Sequence, residues 1–275
     1  NQYLDETKYI DQIIILDKDN KINRKHGGFF GFFNLIKDIK KYNFDKIFIF
    51  NSSLRFYLIA RLSGISEIYQ YPLFKKTNQH ITATPKKFFK DKLNLEISDD
   101  PEIQIEKNKN PIKGFEINKN ETNILLGIGG SGPTKRIPAK TFLKVIEELS
   151  KIKKSKFYLA TGKKFEEQII LKEILESKYM DKCISLDNLT IKETLPIIKN
   201  CDASICNDSS FSHLSAALGI KTITLMADTP LIYGNYSSKM FPIIPDGETN
   251  VGHNTFGKDK IDPKKIFKKL LEILD

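Results

Sequence analysis

Hydrophobic positions along this chain alternate between short unbroken apolar runs and stripes repeating every three or four residues. Residues 13–16 read IIIL and residues 46–50 read KIFIF, the length and composition of buried strands. Between them, Phe32, Phe33, Leu35, Ile36 and Ile39 recur at helical spacing. Asn51-Ser52-Ser53 suits the start of a helix that reaches Leu62 and stops at Gly64. Residues 65–69 predict a further strand, and Pro85 the opening of a helix. The pattern then lapses over 99–121, where Glu106 to Pro111 is charged and without apolar period, as in a linker. A second alternation follows. Strands are predicted over 123–128, 157–160 and 184–186, and helices over 138–151, 164–177 and 191–199. An amphipathic helix over 263–274 closes the chain.

Repeated strand–helix units in both halves predict an α/β protein with two Rossmann-like parallel-sheet domains facing a cleft. The boundaries expected are 1–115 for the first domain, 122–260 for the second and 261–275 for the closing helix. A length of 275 residues fits two domains.

The most informative stretch runs from Ala203 to Leu225, read as strand, polar turn, helix stopped by Gly219, and strand. Its turn, Asn207-Asp208-Ser209-Ser210, is built of residues that cap helices. The first N–H groups of a helix lack intrahelical partners, and the helix dipole favours an anion there. The turn therefore reads either as a cap alone or as a phosphate site at the carboxyl end of a strand. His213 lies one turn into the helix, where a packed histidine with one hydrogen bond is the simpler reading.

Charge adds one constraint. Lys and Arg number 44 against 34 Asp and Glu, a net +10 that favours anionic partners without choosing among them. The lysines are spread along the chain, as on a solvated surface. Cys183, Cys201 and Cys206 are too few for a disulfide framework and read as buried thiols of a reducing compartment. No apolar run approaches the length of a membrane span, and no signal peptide is visible.

Two glycine motifs need separating. Gly127-Ile128-Gly129-Gly130-Ser131-Gly132 follows a strand and matches GxGxxG. A dinucleotide site also needs its helix to open at the glycines and an acid at a strand end about 20 residues on. Here residues 133–138 intervene, and Glu147 and Glu148 fall inside the helix. Pro133 also stands where a phosphate-binding P-loop requires lysine. What remains is a glycine-rich loop followed by Thr134, Lys135 and Arg136. It is either a structural loop with exposed cations or one that admits a ligand, with Lys135 facing a phosphate.

Taken together, these loops resemble those of glycosyltransferase family nine, the heptosyltransferases of lipopolysaccharide synthesis. NDSSFSHLSAALG is similar to the family's N-D-S/T-G-x-x-H-L-A-A-A-L-G motif, and ILLGIGGSGPTKRIPAKTF to its strand, loop and K-x-W-P segment. ATGKKFEEQ, SLDNLTIKETLPIIKNCD, YIDQIIILD and FDKIFIFNSSLRFYLIARLSG extend the likeness over most of the chain. The resemblance implies a GT-B architecture and inverting transfer of heptose or a related sugar from an ADP-sugar; the sequence shows no metal-ligand cluster, so a reaction without metal or cofactor is expected. It implies that Lys135 contacts the diphosphate with Ser131 nearby, that Glu166 binds the ribose and that Leu189 lies against the adenine. Asp208 would hold sugar hydroxyls, the N–H groups of Ser209 and Ser210 would hold phosphate, and His213 would support the turn. The acceptor implied is a phosphorylated or acidic lipid-linked saccharide. Arg24, Lys25, Lys75, Lys76, Lys86 and Lys87 would face it at the cytoplasmic membrane surface.

The chain departs from the family pattern in three places. Ser210 replaces a glycine, Ile137 a tryptophan, and Met226-Ala-Asp-Thr-Pro230 an aromatic-Gly-Pro-Thr run. The likeness also begins one strand–loop–helix late, so the family's catalytic base is expected upstream of Asn1 and transfer by this chain is expected to be weak. The rival readings are a donor-binding fragment, a basic nucleic-acid-binding protein and an NAD-dependent oxidoreductase. No nucleic-acid module is recognised, and the acid required by the last is missing.

Overall fold

A computed structural model describes residues 10–17, 25–73, 82–98, 100–105, 115 and 117–275. Arg24, Lys75, Lys76 and most of the expected linker lie outside them. The chain divides into two compact units. The smaller comprises residues 11–79 and 83–98; the larger contains everything from Asp99 to Asp275. The crossing thus falls at the start of the predicted boundary segment. Residues 100–105 pack on the larger unit, with the Ile103 N–H bonded to the Ala217 carbonyl.

The larger unit is a six-stranded, wholly parallel sheet. Its strands are β3 (Thr122–Gly127), β4 (Ser155–Ala160), β5 (Cys183–Ser185), β6 (Ala203–Asn207), β7 (Thr222–Leu225) and β8 (Met240–Ile243). They lie in the order β5-β4-β3-β6-β7-β8. Both faces of the central strands are covered, which is why they read as unbroken apolar runs. On one face Ile124, Leu126, Phe157 and Ile205 pack against helices α4 (Ala139–Ile152), α5 (Phe165–Leu175) and α8 (Pro263–Leu274). On the other, Leu125, Tyr158 and Cys206 pack against α6 (Ile191–Lys199) and α7 (Ser210–Ala217). Each large aliphatic side chain buried here contributes about 1.5–3 kcal/mol. The closing helix belongs to this core through Ile266, Leu270 and Ile273, and its Ile273 carbonyl accepts from Lys221 Nζ at 2.6 Å. Strand β8 escaped the sequence reading because Met240-Phe-Pro-Ile243 carries a proline, which only an edge strand tolerates.

Strand order fixes where a ligand can sit. From β3 the chain winds outward through β4 and β5, and from β6 it winds the other way through β7 and β8. The reversal lies between β3 and β6, paired from Ile124 with Ala203 to Gly127 with Cys206. Loops leaving two such strands diverge to opposite faces and open a crevice at their carboxyl ends.

In the smaller unit, β1 (Lys46–Ile49) and β2 (Glu67–Gln70) form a parallel pair with helices α1 (Gly28–Lys40), α2 (Leu54–Leu62) and α3 (Ala83–Leu93). Ile49, Ala60 and Ile65 make its small core, and Phe48, Phe50, Tyr69, Tyr71, Phe88 and Phe89 a cluster of contacting rings. Residues 13–16, expected as a strand, form none: they pair with no strand among the described residues, and Ile14, Ile15 and Leu16 are exposed. An apolar run supplies the side chains of a strand but not its ladder. Ser53 precedes α2 as expected, although its hydroxyl makes no cap bond. Gly64 ends the helix at φ +88°, a conformation costly for any side chain.

Candidate functional site

Two loops leave the switch point side by side: residues 128–138 after β3 and Asp208-Ser209 after β6. The first is pinned by buried side chains from three directions. Asn207 Nδ2 donates to the carbonyls of Ile128 at 2.8 Å and Gly129 at 3.1 Å. The Gly130 N–H donates to Glu167 Oε1 at 2.8 Å, and Arg136 Nε donates to the Gly130 carbonyl at 3.0 Å. Beyond these anchors Ser131 is exposed, and Lys135 is half-buried.

There Lys135 Nζ meets Asp208 Oδ2 at 2.7 Å, with the lysine side chain 23% and the aspartate 7% exposed. The other carboxylate oxygen stands 4.0 Å from His213 Nε2. His213 Nδ1 lies 2.6 Å from the Tyr236 hydroxyl, and the two rings stack at 14°. With the phenol donating, the imidazole is neutral and turns its Nε2–H towards Asp208. Burial lowers the His213 pKa, Asp208 opposes that shift, and Lys135 adds to it. Burial raises the Tyr236 pKa to about 12.

No side chain caps α7. The Ser209 hydroxyl makes no cap bond, Asn207 is committed to the glycine loop and Asp208 to Lys135. The cap-only reading of the turn is therefore corrected: these residue types suit a cap, but Asn207 and Asp208 are drawn to other partners and the Ser209 hydroxyl makes no bond to the helix. The first turn of α7 keeps its outward N–H groups, with the exposed Ser210 at its start. Around it, Thr161 Oγ1, Asn207 Oδ1, Ser209 Oγ and Thr229 Oγ1 are buried without a hydrogen-bond partner. All four follow or end a strand at this edge of the sheet.

The two acids of α5 take opposite positions. Glu166, the residue carried over to the ribose, points outward with its side chain 63% exposed and its Oε2 4.0 Å from Arg136 Nη1. Glu167 turns inward and is 6% exposed. Sequence reading passed over Glu167 because adjacent identical acids at a helix start look equivalent. The glycines Gly129 and Gly162 were the available signal, since a Cβ on either would lie 2.6 or 2.5 Å from a Glu167 oxygen. Leu189 sits in the turn after β5, packed against the α6–α7 side of the core. Asp228, in the departing 226–230 run, was also missed. Burial raises its pKa, but N–H groups of Phe256, Thr255 and Asn254 and the Thr134 hydroxyl outweigh this and leave it lowered. Asp228 thus ties the 128–138 loop to residues 254–256, where Asn254 and Phe256 hold φ of 75° and 51°.

A parallel sheet in each unit, with polar loops gathered at the switch point of the larger, places the molecule in the GT-B fold class. The chain is similar in fold to the E. coli ADP-heptose lipopolysaccharide heptosyltransferase II, with TM-score 0.74 and 16% identity over 99% of this chain and 86% of that one. It is similar also to a family 9 glycosyl transferase from Veillonella parvula, with TM-score 0.78 and 15% identity over 99% and 85%. The E. coli heptosyltransferase WaaC, solved with ADP, matches at TM-score 0.67 and 13% identity over 86% and 75%. In sequence, lipopolysaccharide heptosyltransferase 1 of Campylobacter coli is 30% identical over 172 residues, covering 58% of this chain and 48% of that protein. The match therefore spans about half the length of that relative. The model of glycosyltransferase family 9 (heptosyltransferase) matches residues 60–255, and the chain belongs to that family.

Proposed function

We propose that this protein transfers a heptose or related sugar from an ADP-sugar to an acceptor of the lipopolysaccharide-core type, with inversion at the anomeric carbon. The observation that carries this reading is the Lys135–Asp208 pair beside the uncapped start of α7, both at the switch point. An acceptor hydroxyl attacks the anomeric carbon as its proton passes to a general base, the bond to the diphosphate oxygen breaks, and ADP leaves with the added negative charge. Lys135 and the α7 N–H groups of Ser209 and Ser210 stabilise that charge as it develops. Asp208 holds Lys135 and presents its second oxygen to sugar hydroxyls, with His213 fixed beside it. Ser131 lies along the diphosphate, Glu166 reaches the ribose from the crevice rim, and Leu189 borders the adenine.

The smaller unit supports an acidic, lipid-linked acceptor. Its sequence holds 16 Lys and Arg against 8 Asp and Glu, which is +8 of the chain's +10. Lys86 and Lys87 are exposed on α3, and Phe29, Phe30 and Phe33 are exposed on α1. Lys25 is engaged by Asp38 at 2.5 Å. Among the described residues no helix is long and apolar enough to cross a membrane. The charge and the exposed rings suit work at the cytoplasmic membrane surface.

Calorimetry with ADP, ADP-heptose and NAD tests the donor assignment. Binding of the first two and not the third is expected. A folded sample that ignores millimolar ADP would overturn it. Release of ADP from ADP-heptose on addition of a lipid-linked core acceptor tests transfer itself.

A further inference from the structure

We propose that Glu167 is a positioning residue, a buried carboxylate that sets the glycine loop for the diphosphate of the donor. This inference rests on the proposed donor site and adds a residue to it. Glu167 accepts the Gly130 N–H at 2.8 Å, while Arg136 holds the carbonyl of the same residue at 3.0 Å. A buried acid and a buried guanidinium therefore grip Gly130 from its two sides, at 6% and 9% exposure. The carboxylate occupies the space that side chains at 129 and 162 would need: a Cβ on Gly129 would lie 2.6 Å from Oε1, and one on Gly162 2.5 Å from Oε2. Both glycines thus make room for one acid. Directly after Gly130 come Ser131 and, four residues on, Lys135. Fixing the Gly130 peptide fixes the start of the segment that carries both. Preorganised donors stabilise a developing charge without reorganising during the reaction.

The position of Glu167 distinguishes two roles. A carboxylate that binds the donor's ribose would act on the nucleoside alone. A carboxylate that sets the loop acts on the diphosphate, whatever is attached to it. E167Q keeps an acceptor oxygen for the Gly130 N–H; E167A removes it; E167M fills the volume without an acceptor and replaces E167A where that variant does not fold. Binding of ADP and of inorganic diphosphate is measured by calorimetry, diphosphate by displacement of ADP, with thermal unfolding as the folding control. The expected result is a loss of at least tenfold for both ligands in E167A or E167M and a change below threefold in E167Q. Donor KM rises in the same variants while acceptor KM is unchanged. Losses confined to ADP, equal losses in E167Q and E167A, or unchanged affinities would each overturn the role. Wild-type protein that binds neither ligand would instead overturn the donor site on which it rests.

Discussion

The Lys135–Asp208 pair makes a double substitution more telling than either single one. The lysine nitrogen touches Asp208 at 2.7 Å. A phosphate oxygen on the lysine's other side would add about 2.8 Å, the length of a charge-assisted hydrogen bond. The carboxylate and the diphosphate then stand about 5.5 Å apart with the ammonium between them. Without that ammonium, two unit negative charges at about 5.5 Å repel by about 3 kcal/mol at an effective dielectric constant near 20. This is a ceiling, because water enters the space that Lys135 leaves. The lost hydrogen bond to a charged group is itself worth about 1.5–3 kcal/mol. Lys135→Ala should therefore weaken ADP by about 2–3 kcal/mol, some 30- to 150-fold. Asp208→Asn removes one of the two like charges, so the double variant should bind ADP at least about fivefold more tightly than Lys135→Ala alone. Asp208→Asn by itself should leave ADP affinity nearly unchanged and weaken ADP-heptose, whose hydroxyls lose the carboxylate. Calorimetry on the four proteins closes the cycle. Strict additivity, with no recovery in the double variant, would show that Lys135 does not stand between Asp208 and the diphosphate.

Three further outcomes follow from the same geometry. The His213 pKa is lowered by burial, so its neutral form is favoured in the folded state. Its contribution to stability is complete above the unfolded value near 6.5 and declines as pH falls from there through the folded value. His213→Gln should therefore flatten the melting-temperature profile between about pH 7.5 and 5, and an unchanged profile would refute the assignment. Tyr236→Phe leaves His213 Nδ1 without the donor it meets at 2.6 Å and should lower stability by about 1 kcal/mol in urea unfolding. Asp228→Ala frees the N–H groups of 254–256 and lets the Phe256 backbone leave φ 51°. It should cost about 1–3 kcal/mol and make that loop a new site of proteolytic cleavage, whereas wild-type cleavage kinetics would remove Asp228 as its anchor.

How far the sequence alone carried depended on whether a feature was local. Strands β3, β4 and β6 were legible because burial on both faces makes each one an apolar run, and α6 matched to the residue because its ends are marked by chemistry. Thr190 and Glu193 there form a capping box, and Asn200 follows the last turn. The NDSS turn and the Lys135 loop were legible as polar interruptions at strand ends. Partner choice was not. Asn207, Asp208 and Ser209 have equal local claims to cap α7, and only the sheet order, with β3 and β6 adjacent, gives Asn207 the glycine-loop carbonyls and Asp208 the lysine. The same holds for Glu166 and Glu167, whose inward or outward direction is set by the phase of α5 against the loop after β3. The IIIL run fails for the complementary reason. Its composition is that of a strand, but a strand is a relation between two segments, and no sequence window contains its partner. Where one segment determines a feature, composition suffices; where two must meet, topology decides which of several competent residues acts. The chemistry of this site lies largely in the second class, since Asn207 and Asp208 at the end of β6 and Glu167 after β4 all act on residues of the β3 loop.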